Sequence, residues 1–283
     1  MKLPFALAKR FVAGEEFGPA KPKVEQLNKK GIAVTLDLLG ENVSDRAVAE
    51  QTTQDYLQLL QDIHDSGLNS SISIKLTMLG LDIDEEYCLS NLMLLMEKAK
   101  ELSQFVRIDM EGSYYTQITI DLFKKAHAKY KGHVGIVIQA MMKRSAQDIP
   151  ELAALDADVR LCKGAYKEPA SVALQNMSDI RKAFKEYAKI LLEKTSSCRI
   201  ATHDSKLVEW VKYYTTKEDI DRSKFEFQML YGLRESTMEQ LTREGYRTRV
   251  YVPYGTMWFP YFKRRLMERK ENVFFVATTF FKK

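Results

Sequence analysis

The feature that most limits what this chain can fold into is a repeated alternation between short apolar runs and longer amphipathic stretches. Eight runs rich in Ile, Val, Leu and Phe predict strands at 32–38, 70–76, 105–110, 134–139, 158–161, 199–202, 225–229 and 247–252. Continuous apolar runs of this kind are typical of strands covered on both faces. The stretches between them carry apolar residues at helical spacing. They predict helices, the clearest at 48–63, 87–102, 116–130, 172–192 and 236–244.

Eight strand–helix units in a chain of 283 residues match the period of a TIM-type (β/α)8 barrel, which typically takes about 250 residues. No linker rich in Pro, Gly or Ser divides the chain, so we expect one α/β domain. It would consist of a short N-terminal helical lead over residues 1–30 and a barrel over residues 31–283. An open doubly wound sheet is the competing interpretation, because alternation alone does not prove that the sheet closes.

Composition excludes several classes of function. The net charge of +5 is mild and its charges are dispersed, which argues against a nucleic-acid partner but leaves an anionic membrane surface open. Three cysteines without metal-ligand spacing predict a reduced, cytoplasmic protein. No apolar run reaches the about 18 residues of a membrane span, and the N-terminus lacks the features of a signal peptide. We expect the aromatic tail, 272–283, to pack on the body; a foot on the membrane surface is the alternative.

Polar side chains gather where the predicted strands end, which in a barrel is where chemistry takes place. These strand-end residues are Lys75, Asp109, Glu111, Gln139, Arg160, Lys163, His203, Asp204, Gln228 and Tyr251. The helix after the eighth strand adds Tyr261, Arg264 and Arg265. Adjacent arginines lie about 100° apart on a helix, so both can flank one anionic group. Several cations with few carboxylates predict an anionic ligand, such as a phosphate-bearing cofactor together with a carboxylate substrate.

Other interpretations of the same residues stay open. Any one charged residue could belong to a structural ion pair, and 263–269 could be a solvated basic face. A metal site at Asp109, Glu111 and His203 is disfavoured, because neighbouring cations would repel the ion. Lys75 could be the Schiff-base nucleophile of a lyase or aldolase, and the barrel could bind an amino acid without catalysis. No Rossmann glycine motif and no P-loop motif occurs in the chain.

Seven motifs in order resemble the flavin-dependent proline dehydrogenases, specifically the short monofunctional bacterial type. They are RFVAGE at 10–15, SIKLT at 73–77, IDME at 108–111, RLCKGAY at 160–166, ATHD at 201–204, EFQMLYG at 226–232 and YFKRRLME at 261–268. The resemblance implies a barrel that binds FAD non-covalently and oxidises L-proline to Δ1-pyrroline-5-carboxylate. It further implies electron transfer to a membrane quinone, peripheral contact with the inner face of the cell membrane, and a separate pyrroline-5-carboxylate dehydrogenase for the product.

The resemblance also implies a role for each matching position. Lys75, Arg264 and Arg265 would hold the proline carboxylate, while Leu230, Tyr251 and Tyr261 would pack around the ring. Asp109 and Arg160 would be catalytic. The expected FAD contacts are Met110, Gln139, Arg160, Lys163, Gly164, Ala165, Thr202, His203 and Glu268. A tyrosine at 251 beside the ring predicts a preference for proline over 4-hydroxyproline.

Overall fold

The structure is a computed structural model that describes residues 5–267. Eight parallel strands close into a barrel in sequence order. They are β1 Ala33–Leu38, β2 Ser70–Ile74, β3 Val106–Ile108, β4 Val134–Gln139, β5 Asp158–Cys162, β6 Cys198–Ala201, β7 Phe225–Leu230 and β8 Thr248–Tyr254. The barrel closes where β8 pairs with β1, in a register from Ala33 opposite Arg249 to Leu38 opposite Tyr254. The predicted (β/α)8 barrel is therefore confirmed, and the open-sheet alternative is wrong.

Nine helices accompany the strands over the described residues. They are α1 Phe17–Lys29, α2 Arg46–Asp65, α3 Glu85–Glu101, α4 Thr116–Tyr130, α5 Ser145–Ala154, α6 Met177–Lys194, α7 Ser205–Lys217, α8 Glu235–Arg243 and α9 Trp258–Met267. Aspartates at 45, 84 and 204 cap α2, α3 and α7 by accepting backbone N–H groups of their first turns. Such a cap typically contributes about 1 kcal/mol, and here it fixes where the helix starts behind each strand-end loop.

The predicted helix 172–192 was wrong at its start, because α6 begins only at Met177. The apolar residues before it pack in another way. Leu174 N donates to Met141 O (2.8 Å) and Lys143 N donates to Val172 O (3.0 Å). These bonds connect the β5–α6 loop to the segment after β4. The apolar residues before Met177 therefore pack between two loops and are not part of the helix.

Most strands have an apolar outer face and a largely polar inner face. In β1, Val34 and Leu36 join the main hydrophobic core beneath the helices, whereas Thr35 and Asp37 are buried polar residues. Thr35 Oγ1 lies 2.9 Å from Ser71 Oγ of the neighbouring strand β2. The strands are thus covered on both faces as predicted, but the inner layer is largely polar.

An ion-pair network crosses the barrel interior. Arg107 of β3 pairs with Asp158 of β5, and Arg199 Nη2 lies 2.6 Å from the other oxygen of Asp158. Arg249 Nε donates to Glu226 Oε1 at 2.8 Å. Burial alone would raise the pKa of Glu226, but Arg249 and Arg199 lower it to about 2. Because some of these pairs join non-neighbouring strands, the network fixes the interior directly beneath the strand ends.

The N-terminal part of the chain joins the outer ring of helices. At the carboxyl end of the barrel, Ala13 N donates to Pro253 O (2.9 Å) and Gly255 N donates to Gly14 O (3.0 Å). At the opposite end, Asn28 Nδ2 donates to Ile32 O at 3.0 Å. Helix α1 therefore runs down the outside against β8 and β1, where a symmetric barrel would have the helix that follows β8. A domain boundary at residue 30 stays a prediction.

Helix α9 follows β8 and lies at the carboxyl end of the barrel, where its residues share one cavity with the strand ends. Within residues 5–267, no helix has the length and apolarity needed to cross a bilayer.

Candidate active site

A cavity of about 870 Å³ opens at the carboxyl end of the barrel, in the upper part of the about 300–1,000 Å³ range of cofactor and ligand sites. Sixteen residues predicted from the sequence line it: Lys75, Asp109, Met110, Arg160, Lys163, Gly164, Ala165, Thr202, His203, Asp204, Gln228, Leu230, Tyr251, Tyr261, Arg264 and Arg265. Gln139 lies just outside this lining and is buried. Glu268 lies outside the described residues.

Lys75 extends from the end of β2 and pairs with Asp37 of β1. Its Nζ donates to Asp37 Oδ1 at 2.9 Å, with side-chain exposures of 9% and 1%. Burial by itself lowers the pKa of Lys75, but the Asp37 and Asp109 carboxylates outweigh burial and leave that pKa raised above its usual value. Lys75 is therefore an ammonium group suited to binding a carboxylate. A Schiff-base nucleophile needs the neutral amine, so this environment does not favour the aldolase hypothesis.

Asp109, at the end of β3, connects three strands across the barrel. Its Oδ1 accepts from Ser73 Oγ at 3.1 Å and from Arg160 Nη1 at 2.9 Å. Its Oδ2 accepts from the Tyr251 hydroxyl at 2.7 Å. Burial and the Asp109 charge raise the pKa of Tyr251 well above its usual value, so the phenol keeps its proton and donates it. Asp109 thus aligns Arg160 and Tyr251 beneath the cavity.

Arg160 has a second support below it. Its Nε donates to Gln228 Oε1 at 2.6 Å, and Gln228 Nε2 donates to Glu226 Oε1 at 2.8 Å. Because Glu226 accepts from the amide nitrogen, the amide oxygen has to face Arg160. Nη2 of Arg160 makes no hydrogen bond with any described residue, and the side chain lines the cavity. One edge of the guanidinium is therefore available to a ligand.

Helix α9 contributes its two arginines to the lining of the same cavity. Arg265 is 7% exposed, and its guanidinium carbon lies 5.3 Å from the centre of the Tyr261 ring. Arg264 Nη1 lies 3.1 Å from Glu41 Oε1, in the loop after β1. Lys75, Arg264 and Arg265 thus place three cations around one space, as a carboxylate site requires.

The rim near β6 carries a second group of cations. Lys163 Nζ and Arg181 Nε lie 3.2 Å and 2.7 Å from Asp204 Oδ2. Burial tends to raise the pKa of Asp204, yet the hydrogen bonds from Arg181 and Lys163 lower it overall. Two cations sharing one carboxylate leave a net positive charge, which suits a phosphate-bearing ligand. Beside them, His203 Nε2 accepts from Leu230 N at 2.9 Å, so Nε2 is the unprotonated nitrogen.

Gln139 tests whether the site suits a flavin. Its Nε2 donates to Glu111 O at 2.9 Å and to Met110 O at 3.3 Å. Its Oε1 is buried and has no hydrogen-bond partner among the described residues. Buried amide oxygens are nearly always paired, and Met110 lines the cavity. A ligand with an imide N–H, as the flavin ring has, would supply the missing donor.

Glu111, one of the three residues of the metal hypothesis, has a structural partner instead. It accepts from Thr77 Oγ1 at 2.6 Å and from Thr77 N at 3.2 Å. Over residues 5–267, no group of three or more His, Cys, Asp and Glu side chains is arranged to hold a metal ion.

Several residues of the cavity were not predicted from the sequence, among them Asp37, Glu41, Tyr166 and Arg181. Asp37 could have been found, because an acidic residue interrupts the apolar pattern of β1 at an inward position. Tyr166 stood within a quoted motif but received no role. Glu41 gave no local signal, since its partner Arg264 lies 223 positions away.

Comparison with known proteins gives a consistent result. A family model described as proline dehydrogenase matches residues 20–278. Proline dehydrogenase 2 of Bacillus subtilis strain 168 is 41% identical over 268 residues, covering 95% of this chain and 88% of the relative. Proline dehydrogenase of Deinococcus radiodurans is 38% identical over 275 residues, covering 96% and 89%.

Among solved structures, proline utilization A of Bdellovibrio bacteriovorus, inactivated by N-propargylglycine, superimposes with a TM-score of 0.88 at 25% identity. The match covers 93% of this chain and 33% of that protein, so the chain spans about a third of the larger polypeptide. The family match, the near-complete alignment with short relatives and the shared barrel lead to one conclusion: this chain belongs to the proline dehydrogenase family and corresponds to its short monofunctional members.

Proposed function

We propose that this protein oxidises L-proline to Δ1-pyrroline-5-carboxylate with FAD as the hydride acceptor and passes the electrons to a membrane quinone. The observation that carries the proposal is that one cavity is lined both by three cations suited to a carboxylate and by the linked Asp109, Arg160 and Tyr251.

The three cations would bind the proline carboxylate. Lys75, Arg264 and Arg265 converge on the cavity, and charge-assisted contacts to a carboxylate are roughly twice as strong as neutral ones. Asp37 and Glu41 keep two of these cations in place through ion pairs of 2.9 Å and 3.1 Å. The carboxylate would then fix the orientation of the ring, since it is the only charged group of proline besides the amine.

Leu230, Tyr251 and Tyr261 line the same cavity and would form apolar walls around the pyrrolidine ring. These walls exclude water and limit the orientations that the bound ring can adopt. Asp109 already accepts hydrogen bonds from three donors, so its oxygens are engaged by Ser73, Arg160 and Tyr251. We therefore assign the proton of the proline amine to solvent.

When bound, FAD would supply the hydride acceptor that no amino-acid side chain can provide. Around it, Arg160 would direct its available Nη2 toward the negative charge that develops on reduction. Gln139 would accept from the imide N–H. Lys163 and the neighbouring cations would hold the phosphates of FAD. The remaining predicted contacts to FAD come from Met110, Gly164, Ala165, Thr202, His203 and Glu268.

The partners follow from the chemistry. The reduced cofactor has to be reoxidised, and a quinone acceptor implies a cytoplasmic protein with peripheral contact at the inner face of the membrane. The aromatic tail that could make such contact, 272–283, lies outside the described residues. The product would be consumed by a separate pyrroline-5-carboxylate dehydrogenase.

A visible absorption spectrum, recorded anaerobically before and after addition of L-proline, tests the proposal. We expect flavin bands in the purified protein and their bleaching by proline but not by D-proline. Flavin bands that persist with proline would contradict the assignment of the substrate. Protein that neither contains flavin nor binds added FAD would contradict the assignment of the cofactor, and a borohydride-trapped adduct on Lys75 would support the aldolase hypothesis instead.

A further inference from the structure

We propose that the N-terminal segment (residues 5–15) is part of the substrate-binding machinery. It fixes helix α9 in the orientation that points Arg264 and Arg265 into the cavity, so its apolar residues are positioning residues for the carboxylate. The inference rests on the proposed function for the identity of the substrate. The contacts that carry it are independent of that function.

The buried side of α9 is a single helical stripe. Trp258, Tyr261, Phe262 and Arg265 occupy positions i, i+3, i+4 and i+7, and their exposures are 7%, 6%, 1% and 7%. Such spacing places all four on one face of a helix. The carboxylate-binding Arg265 therefore lies one turn beyond the two aromatic residues, and whatever holds their rings also sets the direction of its guanidinium.

This stripe does not pack on the main core of the barrel. Among the described residues it belongs to a separate hydrophobic cluster, whose buried members are Ala8, Phe11, Val12, Leu39, Trp258, Tyr261 and Phe262. Of these, Leu39 alone comes from the barrel, at the end of β1. The N-terminal segment supplies the other three buried partners of α9, so it is the main surface against which the helix is placed.

The contacts are specific as well as apolar. The Phe11 and Phe262 ring centres are 6.4 Å apart, and Phe5 meets Trp258 edge-on at 5.7 Å. Aromatic pairs at these distances prefer defined geometries. In addition, Trp258 Nε1 donates to Glu15 Oε1 at 3.1 Å. Two aromatic pairs and one hydrogen bond resist both sliding and rotation of α9.

The segment is itself anchored to the barrel, which makes it a rigid support. The backbone of residues 13 and 14 bonds to the end of β8 through Pro253 and Gly255. On its other side, the backbone of Arg10 lies against Gly232, where any side chain atom would collide with the Arg10 carbonyl oxygen. The N-terminal segment thus transmits the position of the strand ends to α9.

Substitution of Phe11 tests the inference. Phe11→Ala should loosen α9 and raise the KM for proline by roughly tenfold or more, since a shift of about 1 Å in a positioned group costs up to about a hundredfold. The rate of flavin reduction at saturating proline should change little, because Arg160 and Asp109 rest on other contacts. Phe11→Leu, which keeps most of the volume, should show a smaller rise and covers the case in which the alanine variant is poorly folded.

Phe123→Ala is the matched control. Phe123 is fully buried in the main core on α4 and lies outside the cavity lining. Phe123→Ala should therefore lower the stability of the protein as much as Phe11→Ala does, without changing KM. A rise in KM of equal size in both variants would overturn the inference, because it would report general destabilisation.

A double-mutant cycle tests whether Phe11 affects substrate binding through Arg265. If Phe11 acts through the arginines, Phe11→Ala should add little to the KM of Arg265→Met, since coupled residues give non-additive effects. Multiplicative effects would overturn the inference. The dissociation constant of cyclopentanecarboxylate, measured by calorimetry, gives the same test without turnover. An inactive wild type would contradict the proposed function, whereas unchanged carboxylate binding in Phe11→Ala would contradict this inference alone.

Discussion

Gln228 offers a direct test of how the barrel interior supports the site. Its amide connects Arg160 to Glu226 through bonds of 2.6 Å and 2.8 Å, and it is 4% exposed. The Gln228→Leu variant keeps a similar volume but removes the acceptor of the Arg160 Nε–H. A hydrogen bond to a charged group contributes about 1.5–3 kcal/mol. Arg160 keeps its bonds to Ser73 and Asp109, so the guanidinium should stay bound but lose its fixed orientation.

If losing this hydrogen bond raises the activation free energy by the same amount, the rate constant for flavin reduction should fall by about ten- to a hundredfold. KM should change little, because the bonds of Gln228 run to Arg160 and Glu226, whereas Asp37 and Glu41 hold two of the cations of the proposed carboxylate site. Anaerobic stopped-flow reduction over a range of proline concentrations separates the two quantities. Asn91→Leu is the control, since Asn91 is a buried amide bonded to Leu79 O at 3.0 Å and lies outside the cavity lining. A folded Gln228→Leu protein with a wild-type reduction rate would refute the reasoning.

Three further predictions concern the clamp, the ring pocket and the interior charges. Arg265→Met should raise the activation free energy derived from kcat/KM by about 2 kcal/mol, mainly through a higher KM, because a charge-assisted contact to the carboxylate is lost. An unchanged KM in steady-state kinetics would contradict the role of Arg265 in binding the carboxylate. Wild-type protein should prefer proline to 4-hydroxyproline because Tyr251 limits the ring pocket, and equal kcat/KM values would argue against this. The pKa of Glu226 falls from 4.5 to about 2 on folding, so its stabilisation is present above pH 4.5 and is lost as pH falls toward 2. The shift corresponds to about 3 kcal/mol of unfolding free energy. In urea unfolding, the free energy of unfolding should therefore fall less between pH 6 and pH 3 in Glu226→Gln than in the wild type.

The sequence predicted the barrel well because the outer face of each strand is apolar whatever the inner face contains. β4 has the predicted ends, and the other strands shift by one or two residues. The placement of α1 and α9 could not be predicted in the same way. Both are short amphipathic helices, and the hydrogen bond between Gly14 and Gly255 that sets their relation joins residues far apart in the chain. The spacing of apolar residues along each helix does not indicate which helix joins the outer ring and which lies at the opening of the barrel.

The site shows a similar division. Residues at strand ends were found because a parallel barrel brings all carboxyl ends together. The pairings that hold them were not, because pairing across the interior depends on register and on which side chains are long enough to meet. Asp109 with Tyr251 joins β3 to β8, and Arg264 with Glu41 joins α9 to the loop after β1. The location of the site residues was therefore predictable, whereas the contacts that hold them in place were not.

Arg160 and Arg265 have separate supports, so substitutions that weaken one support should leave the effect of the other unchanged. Arg160 is held by Gln228 and the ion pairs of the barrel interior, whereas Arg265 is placed by the aromatic cluster around Phe11. The two supports share no contact residue, and distant sites usually contribute additively. A Gln228→Leu, Phe11→Ala double variant should therefore combine a slower flavin reduction with a raised KM, each as large as in the single variants. A combined effect much smaller than the product would mean that the barrel interior and α9 act as one unit.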